Sequence, residues 1–461
     1  VLKSISTKVM FILRMKYRTK EITDCNMGTE KNEKIEFNED FSAAFAEMEY
    51  TKNHVFVTGK AGTGKSTLLR FFKENTKKKV VVLAPTGVAA VNIDGQTIHS
   101  FFGFPPKYID VRSVRKVRGR NLMEKLDAVV IDEVSMVRAD LMDGIDQALR
   151  VNRDEPGKKF GGAQMIFFGD LYQLSPVIDR ESRELMEEQY KSPYFFSADV
   201  FKGLSLRFFE LQKVYRQSDK KFIEMLNRFR DNGNTKEDIE RLNERVDRTA
   251  DDRKDGTVIL TATNSVAGAI NAKRLSEIKS EQFEYKATVT GEFEEKSYPT
   301  ESSLMLKKGA QVMLIRNDPG KRWVNGTIAE ITALTERSIE VNINGEKYEV
   351  SPVIWNKIRY VYNRLEDKVD EEIVGTFSQY PIKLAWAITI HKSQGQTFDK
   401  VIIELGKGAF AHGQVYVALS RCTALQGITL KRPILREDVI FDQRIHYFQK
   451  GLLGEIVREE I

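Results

Sequence analysis

The sequence predicts an α/β chain with two parallel-sheet domains and a small antiparallel barrel inserted into the second, and three observations carry that prediction. Between residues 54 and 170 four short apolar runs, HVFVTG, KVVVLAPTG, LDAVVIDE and AQMIFFGD, each end in a glycine or a carboxylate and are separated by polar helical stretches. Near-continuous apolar strands alternating with helices are what a sheet buried on both faces requires. The same rhythm returns in LRFFELQKVYRQ, TVILTATN, PIKLAWAITIHKSQG and KVIIEL, with helical stretches such as 220–230 between them. Residues 308–378 instead alternate apolar and polar positions around Asn-Gly and Gly turns, the pattern of an antiparallel barrel.

A chain of 461 residues fits about two to four domains. With 41% hydrophobic and 30% charged residues it is ordinary for a globular protein, and the formal net charge of +6 permits a polyanionic partner only through a local basic surface. The two cysteines, Cys25 and Cys422, have no metal or disulfide spacing, so a reducing compartment is the default. The early apolar run 9–13 is far shorter than the roughly 18 residues a membrane helix needs. Residues 1–34 are expected to be a disordered N-terminal extension; the first 26 are basic and stop just before Met27, a natural start point.

The first chemistry lies in GKAGTGKS, residues 59–66, which follows a strand and opens an apolar-faced helix. That context makes it a phosphate loop. Gly59, Gly62 and Gly64 let backbone amides, including those of Ala61 and Thr63, wrap phosphate oxygens at a helix N-terminus, next to Thr67. Lys65 would neutralise the β- and γ-phosphates, and Ser66 would offer its hydroxyl to Mg²⁺. Asp132 and Glu133 end the strand of AVVIDE, with the strand beside it expected to carry the phosphate loop. A strand-terminal Asp-Glu pair is ordinarily a solvated turn. Downstream of a phosphate loop it divides the labour: Asp132 holds the metal and Glu133 orients and deprotonates water. Gln173, one turn beyond the strand ending at Asp170, is a γ-phosphate reader on the same logic.

Taken alone these residues specify an ATPase and leave kinases, transporters and helicases open. The ordered series APTGVAAVNIDGQTIHSFF, IDEVSM, GDLYQLSPV, YRQ, AITIHKSQGQTFDKVIIEL and VYVALSRC resembles the successive motifs of superfamily-one helicases. Residues 141–170 resemble the signature of the Pif (petite integration frequency) family, with RecD-type helicases as near relatives, and the resemblance spans about residues 35–435. It implies an ATP-dependent 5′-to-3′ DNA helicase with two RecA-like motor domains, at 35–195 and at 196–307 with 379–461. It also implies a wedge subdomain at 102–121 and a Src-homology-three-like barrel at 308–378. Arg216 and Arg421 match arginine fingers that reach the γ-phosphate from the second domain, and Gly395 approaches the nucleotide by its backbone. ATP and Mg²⁺ are the implied cofactors. Single-stranded DNA and forks are the implied partners, with G-quadruplexes and RNA–DNA hybrids admitted, no membrane, and a monomeric motor. The setting would be cytoplasmic at the nucleoid in a bacterium, nuclear or mitochondrial in a eukaryote. Family members usually carry an adenine-reading glutamine some twenty residues before the phosphate loop; FNEDFSAAFAEMEY has none, and Asn38 is only a weak substitute.

Single strands are held by phosphate contacts and by bases stacked on aromatic faces. In the first domain the candidates are Thr86, Gly87, His99, Phe101 and Phe102, though paired phenylalanines are as readily core. The wedge stretch gathers Lys107, Arg112, Arg115, Lys116, Arg118 and Arg120, a charge run that suits DNA phosphates. In the second domain Thr261, Asn264, His391, Lys392 and Ser393 match strand-lining positions, and the barrel adds Lys321, Arg322 and Trp323. Two other readings remain: a RecD-like motor subunit of a nuclease complex, and an ATP-gated clamp that binds strands without unwinding them.

Overall fold

A computed structural model describes residues 38–116, 121–178, 180–213, 219–250 and 256–453. The N-terminal extension, Arg118, Arg120 and Arg216 lie outside the described residues.

The first sheet comprises β1 (His54–Gly59), β2 (Val80–Ala84), β3 (Gln96–Thr97), β4 (Ala128–Ile131), β5 (Gln164–Phe168) and β6 (Leu206–Leu211). They run parallel in the order β3-β2-β4-β5-β1-β6. Side chains alternate across the pleat. Val55, Val57, Val130, Ile166 and Phe168 pack against helices Glu39–Tyr50 and Lys65–Asn75, while Phe56, Val129, Ile131 and Phe167 face the opposite core. Two expectations are corrected here. The strand in LRFFEL, assigned to the second domain, hydrogen-bonds along the whole of β1 and completes the first sheet. The strand of Asp132 and Glu133 is not the neighbour of β1, because β5 lies between them.

The second sheet has β7 (Val258–Thr261) and, far downstream, β18 (Ala387–Thr389), β19 (Val401–Glu404) and β20 (Ile428–Leu430), parallel in the order β18-β7-β19-β20. The insertion between β7 and β18 is wider than the predicted 308–378. It holds β8 (Gln282–Lys286), β9 (Thr288–Gly291), β10 (Ser303–Lys307), β11 (Gln311–Leu314), β12 (Ile328–Leu334), β13 (Ile339–Ile343), β14 (Glu346–Val350), β15 (Val353–Asn363), β16 (Lys368–Gln379) and β17 (Ile382–Leu384). An antiparallel sheet β14-β13-β12-β11-β17 shares a core with the β8–β10 pair through Tyr285, Leu304, Leu306, Val312 and Ile331.

Two segments return to the first domain. The hairpin β15–β16 buries Ile358 and Tyr360 in that domain's core. The Tyr360 hydroxyl accepts a hydrogen bond from Val82 N at 3.2 Å, and Lys73–Glu371 (2.9 Å) and Lys79–Asp367 (2.7 Å) pair alongside. Helix Gln443–Leu452, expected within the second domain, inserts Ile445 into the same core and stacks Phe448 on Phe196 with ring centroids 4.3 Å apart. Apolar anchors, not the surface ion pairs, dominate such docking, since exposed pairs contribute at most about 1 kcal/mol.

Candidate nucleotide cleft and nucleic-acid face

The phosphate loop forms where β1 ends and helix Lys65–Asn75 begins. Gly64 sits at the helix N-cap with φ +90°, a left-handed turn that glycine adopts without strain. At Gly59 a Cβ would lie 2.6 Å from Thr63 Oγ1 and 2.8 Å from Leu211 O, so only glycine fits between the loop and β6. Leu68, Leu69, Phe71 and Phe72 bury the inner face of the helix and anchor the loop to the sheet. Ser66 and Thr67 remain exposed at its start, while Ala61 and Thr63 are buried. Lys65 Nζ donates to Gly59 O (2.6 Å) and Lys60 O (3.1 Å). Burial pushes this ammonium's pKa down, against the pull of Asp170 and Glu133.

Across the loop, Asp132 and Glu133 follow β4. Glu133 has φ +49°, a left-handed conformation that a side-chain-bearing residue keeps only when its surroundings hold it there. Burial, followed by the charge of Glu133, raises the Asp132 carboxyl well above the usual carboxylate range. Glu133 is raised by burial too, with Lys65 opposing the shift. The two adjacent carboxylates thus crowd each other's charge. Among the described residues no group of three or more His, Cys, Asp or Glu side chains is placed to hold a metal ion. Asp170 behaves oppositely: burial would raise it, but Arg230 and Lys65 outweigh burial and hold it below the usual range. Its Oδ2 accepts from Gln173 Nε2 at 3.1 Å, which aims the predicted γ-phosphate reader.

The second domain closes directly on this wall. The Tyr416 hydroxyl accepts from Ala61 N (3.3 Å), Gln394 Nε2 donates to Gln173 Oε1 (3.2 Å), and Arg230 Nη2 donates to Asp170 Oδ1 (3.3 Å). Sequence reasoning had not singled out these three second-domain residues. Tyr416 and Gln394 sit inside motifs already noted, whereas nothing in the helix Lys220–Arg230 marked its last residue.

Arg421 is almost fully buried. Its Nε donates to Val417 O (3.0 Å), Nη1 to Ser393 O (3.1 Å) and Nη2 to Ser420 Oγ (2.8 Å), so in this state it braces its own domain's 391–396 turn. Its charge still lowers the pKa of Glu133 across the cleft. Gly395, at the tip of that turn, is exposed with φ +78°. Asn38 caps helix Glu39–Tyr50 by accepting from Phe41 N at 2.8 Å, so its side-chain oxygen is engaged in starting the helix.

The nucleic-acid candidates separate by burial. Phe101 and Phe102 are buried: one packs edge-on to Tyr360, the other stacks on Phe104. They are core residues and no stacking platform. Thr261 is fully buried with its hydroxyl donated to Thr263 O, and Ser393 is fully buried with its hydroxyl donated to Ile390 O. Neither side chain faces a strand, because both satisfy buried backbone carbonyls. Trp323 is buried under Arg322, whose guanidinium lies 4.5 Å from the ring and pairs with Asp318. Thr86, Asn264 and Lys392 are exposed, and His99, Gly87 and His391 are partly so. Burial lowers the pKa of both His99 and His391. Arg115 and Lys116 are exposed; Lys116 pairs with Asp154 at 2.6 Å, and Arg115 donates to Val114 O at 3.2 Å. A lysine not foreseen, Lys383 on β17, is mostly buried beside Lys392, and burial pushes its pKa to about 8.

A family model for PIF1-like helicases matches residues 36–241. The ATP-dependent DNA helicase Pif1 of Bdellovibrio bacteriovorus is 33% identical over 413 residues, covering 87% of this chain and 89% of that protein. The chain belongs to the PIF1-like helicase family. Human ATP-dependent DNA helicase PIF1 is 34% identical over 81% of this chain, and the matched region spans 57% of the human protein's length. Among solved structures, unliganded Pif1 from Bacteroides sp. matches with 36% identity, covering 91% of this chain and 98% of that one at a TM-score of 0.84. Bacteroides Pif1 bound to single-stranded DNA, over the same shares of both chains and at 35% identity, reaches only 0.65.

Proposed function

We propose that this chain is an ATP-dependent DNA helicase that moves 5′ to 3′ on single strands and splits the duplex ahead of it. The observation that carries the reading is a phosphate loop on one parallel-sheet domain closed by side chains of a second: Tyr416 on Ala61 and Gln394 on Gln173. A nucleotide in that cleft would be held by Lys65 and the loop amides. Mg²⁺ would sit at Ser66 and Asp132, and Glu133 would take the proton of the attacking water. Hydrolysis would then depend on how the domains meet. Exposed polar residues on both domains, Thr86 on one and Asn264 and Lys392 on the other, supply two strand grips whose spacing changes as the cleft opens and closes.

The test is strand displacement on paired substrates with a 5′ or a 3′ tail, with Mg²⁺ and ATP. The expected result is displacement from the 5′ tail only, lost when Mg²⁺ is chelated. Displacement from the 3′ tail alone would overturn the direction, and strand binding without stimulated turnover would establish a clamp. Forks, G-quadruplexes and RNA–DNA hybrids enter as arms of the same assay.

A further inference from the structure

Arg230 ends helix Lys220–Arg230 of the second domain and is 4% exposed, yet its partners lie mostly on the first. Its Nη2 is 3.3 Å from Asp170 Oδ1 and 3.6 Å from Glu210 Oε1 on β6; its Nη1 is 3.2 Å from Asp231 Oδ1. The guanidinium lies over the Tyr172 ring, 4.2 Å from its centre. A buried guanidinium with three carboxylates and an aromatic face is held in one orientation, and removing it would leave the buried Asp170 carboxylate uncompensated in the interior. Asp170 in turn holds Gln173, whose other amide atom meets Gln394. The chain Arg230–Asp170–Gln173–Gln394 therefore leaves the second domain, passes through the turn after β5, and returns to the second domain.

We propose that Arg230 is a positioning residue for nucleotide hydrolysis: on domain closure it locks the Asp170 carboxylate, which sets the Gln173 side chain toward the phosphate loop. Arg230 itself touches no nucleotide. Arg421 braces the turn bearing Gln394, so the two arginines fix Gln173 from opposite ends, one through Asp170 and one through the 391–396 backbone. The proposal rests on the helicase reading above, because it presupposes turnover that closure controls.

The test uses the full chain with Arg230→Lys, in parent and Gln173→Ala backgrounds, measuring strand-stimulated kcat, nucleotide KM and the thermal midpoint. Lysine keeps the charge but lacks the planar fork. The expected result is a kcat about tenfold lower in the parent background and less than about twofold lower when Gln173 is absent, with KM nearly unchanged. An equal loss in both backgrounds, or a kcat at the parent level, would overturn the proposal. Should Arg230→Lys fail to fold, Asp170→Asn removes the charge from the other partner; it should show the same dependence on Gln173, and its failure to do so is equally decisive. Parent turnover that single strands do not stimulate defeats the helicase reading. Stimulated parent turnover with an unaffected Arg230→Lys defeats the Arg230 proposal alone.

Discussion

The two walls of the cleft are built on different principles. On the first domain Asp132, Glu133 and Asp170 follow strand ends of one sheet, and Lys65 opens the helix that a short loop joins to a third strand, so their spacing is set by strand separation and short turns. On the second domain Arg230 ends a helix, Gln394 lies in a turn, and Tyr416 and Arg421 come from the helix Gln414–Leu419 and the turn after it. The first wall is joined through one continuous sheet. The second gains its meaning only by contact. On the proposed function, chemistry would belong to the first wall and control of that chemistry to the second, because contacts across a boundary can be made and broken while strand ends cannot.

Variants on the first wall should abolish basal and strand-stimulated turnover alike, whereas variants on the second should spare the basal rate. Lys65→Ala carries the largest expected effect, a loss of at least about a thousandfold in steady-state ATPase with or without DNA. Glu133→Gln should follow, with turnover lower by about a hundredfold or more and nucleotide binding retained in a fluorescent-analogue titration. Arg421→Ala should lower strand-stimulated turnover by about a hundredfold and also the thermal midpoint, since four backbone and hydroxyl acceptors lose their donor. If Arg421→Ala suppressed the basal rate as deeply as Lys65→Ala, the division between the walls would be wrong. Tyr416→Phe should be mild: one hydrogen bond to Ala61 is removed, about 1 kcal/mol, seen as a several-fold rise in nucleotide KM.

A last effect is on stability and concerns the first wall's foundation. His54 at the start of β1 accepts from Met165 N through Nδ1 at 3.0 Å, and burial followed by the charge of Lys159 lowers its pKa from 6.5 to about 4. Its contribution is therefore complete above pH 6.5 and is lost as pH falls from 6.5 toward 4, where the unfolded chain binds a proton that the folded one resists. The loss is at most about 3 kcal/mol. Comparing thermal midpoints of the parent and His54→Asn across that interval isolates it. The parent should lose more stability on acidification than the variant, and equal slopes would show that His54 titrates normally.

The phosphate loop was legible because its requirements are local: glycines at left-handed positions, a helix start and a lysine within eight consecutive residues. Asp132 and Glu133 were legible because a buried strand must end somewhere, and charge collects at that end. Burial was not legible. Phe101 and Phe102 looked equally suited to stacking on bases and to filling a core, and the docking of Tyr360 from the inserted hairpin makes them core. Thr261 and Ser393 carry strand-gripping hydroxyls by type, yet in place both hydroxyls cap buried carbonyls.

By itself the sequence determined an ATP-type phosphate loop with its carboxylate pair, two parallel sheets, an antiparallel insertion and the helicase family. Each of these depends on residues adjacent in the chain or on a pattern repeated along it. Only the tertiary structure decided which sheet β6 joins, that the hairpin β15–β16 and helix Gln443–Leu452 return to the first domain, and which side chains close the cleft. Arg230 meets Asp170 across 60 positions and Tyr416 meets Ala61 across 355. No periodicity in a chain encodes partners so far apart; they are chosen when apolar faces pack, and the polar groups trapped between those faces must then find one another.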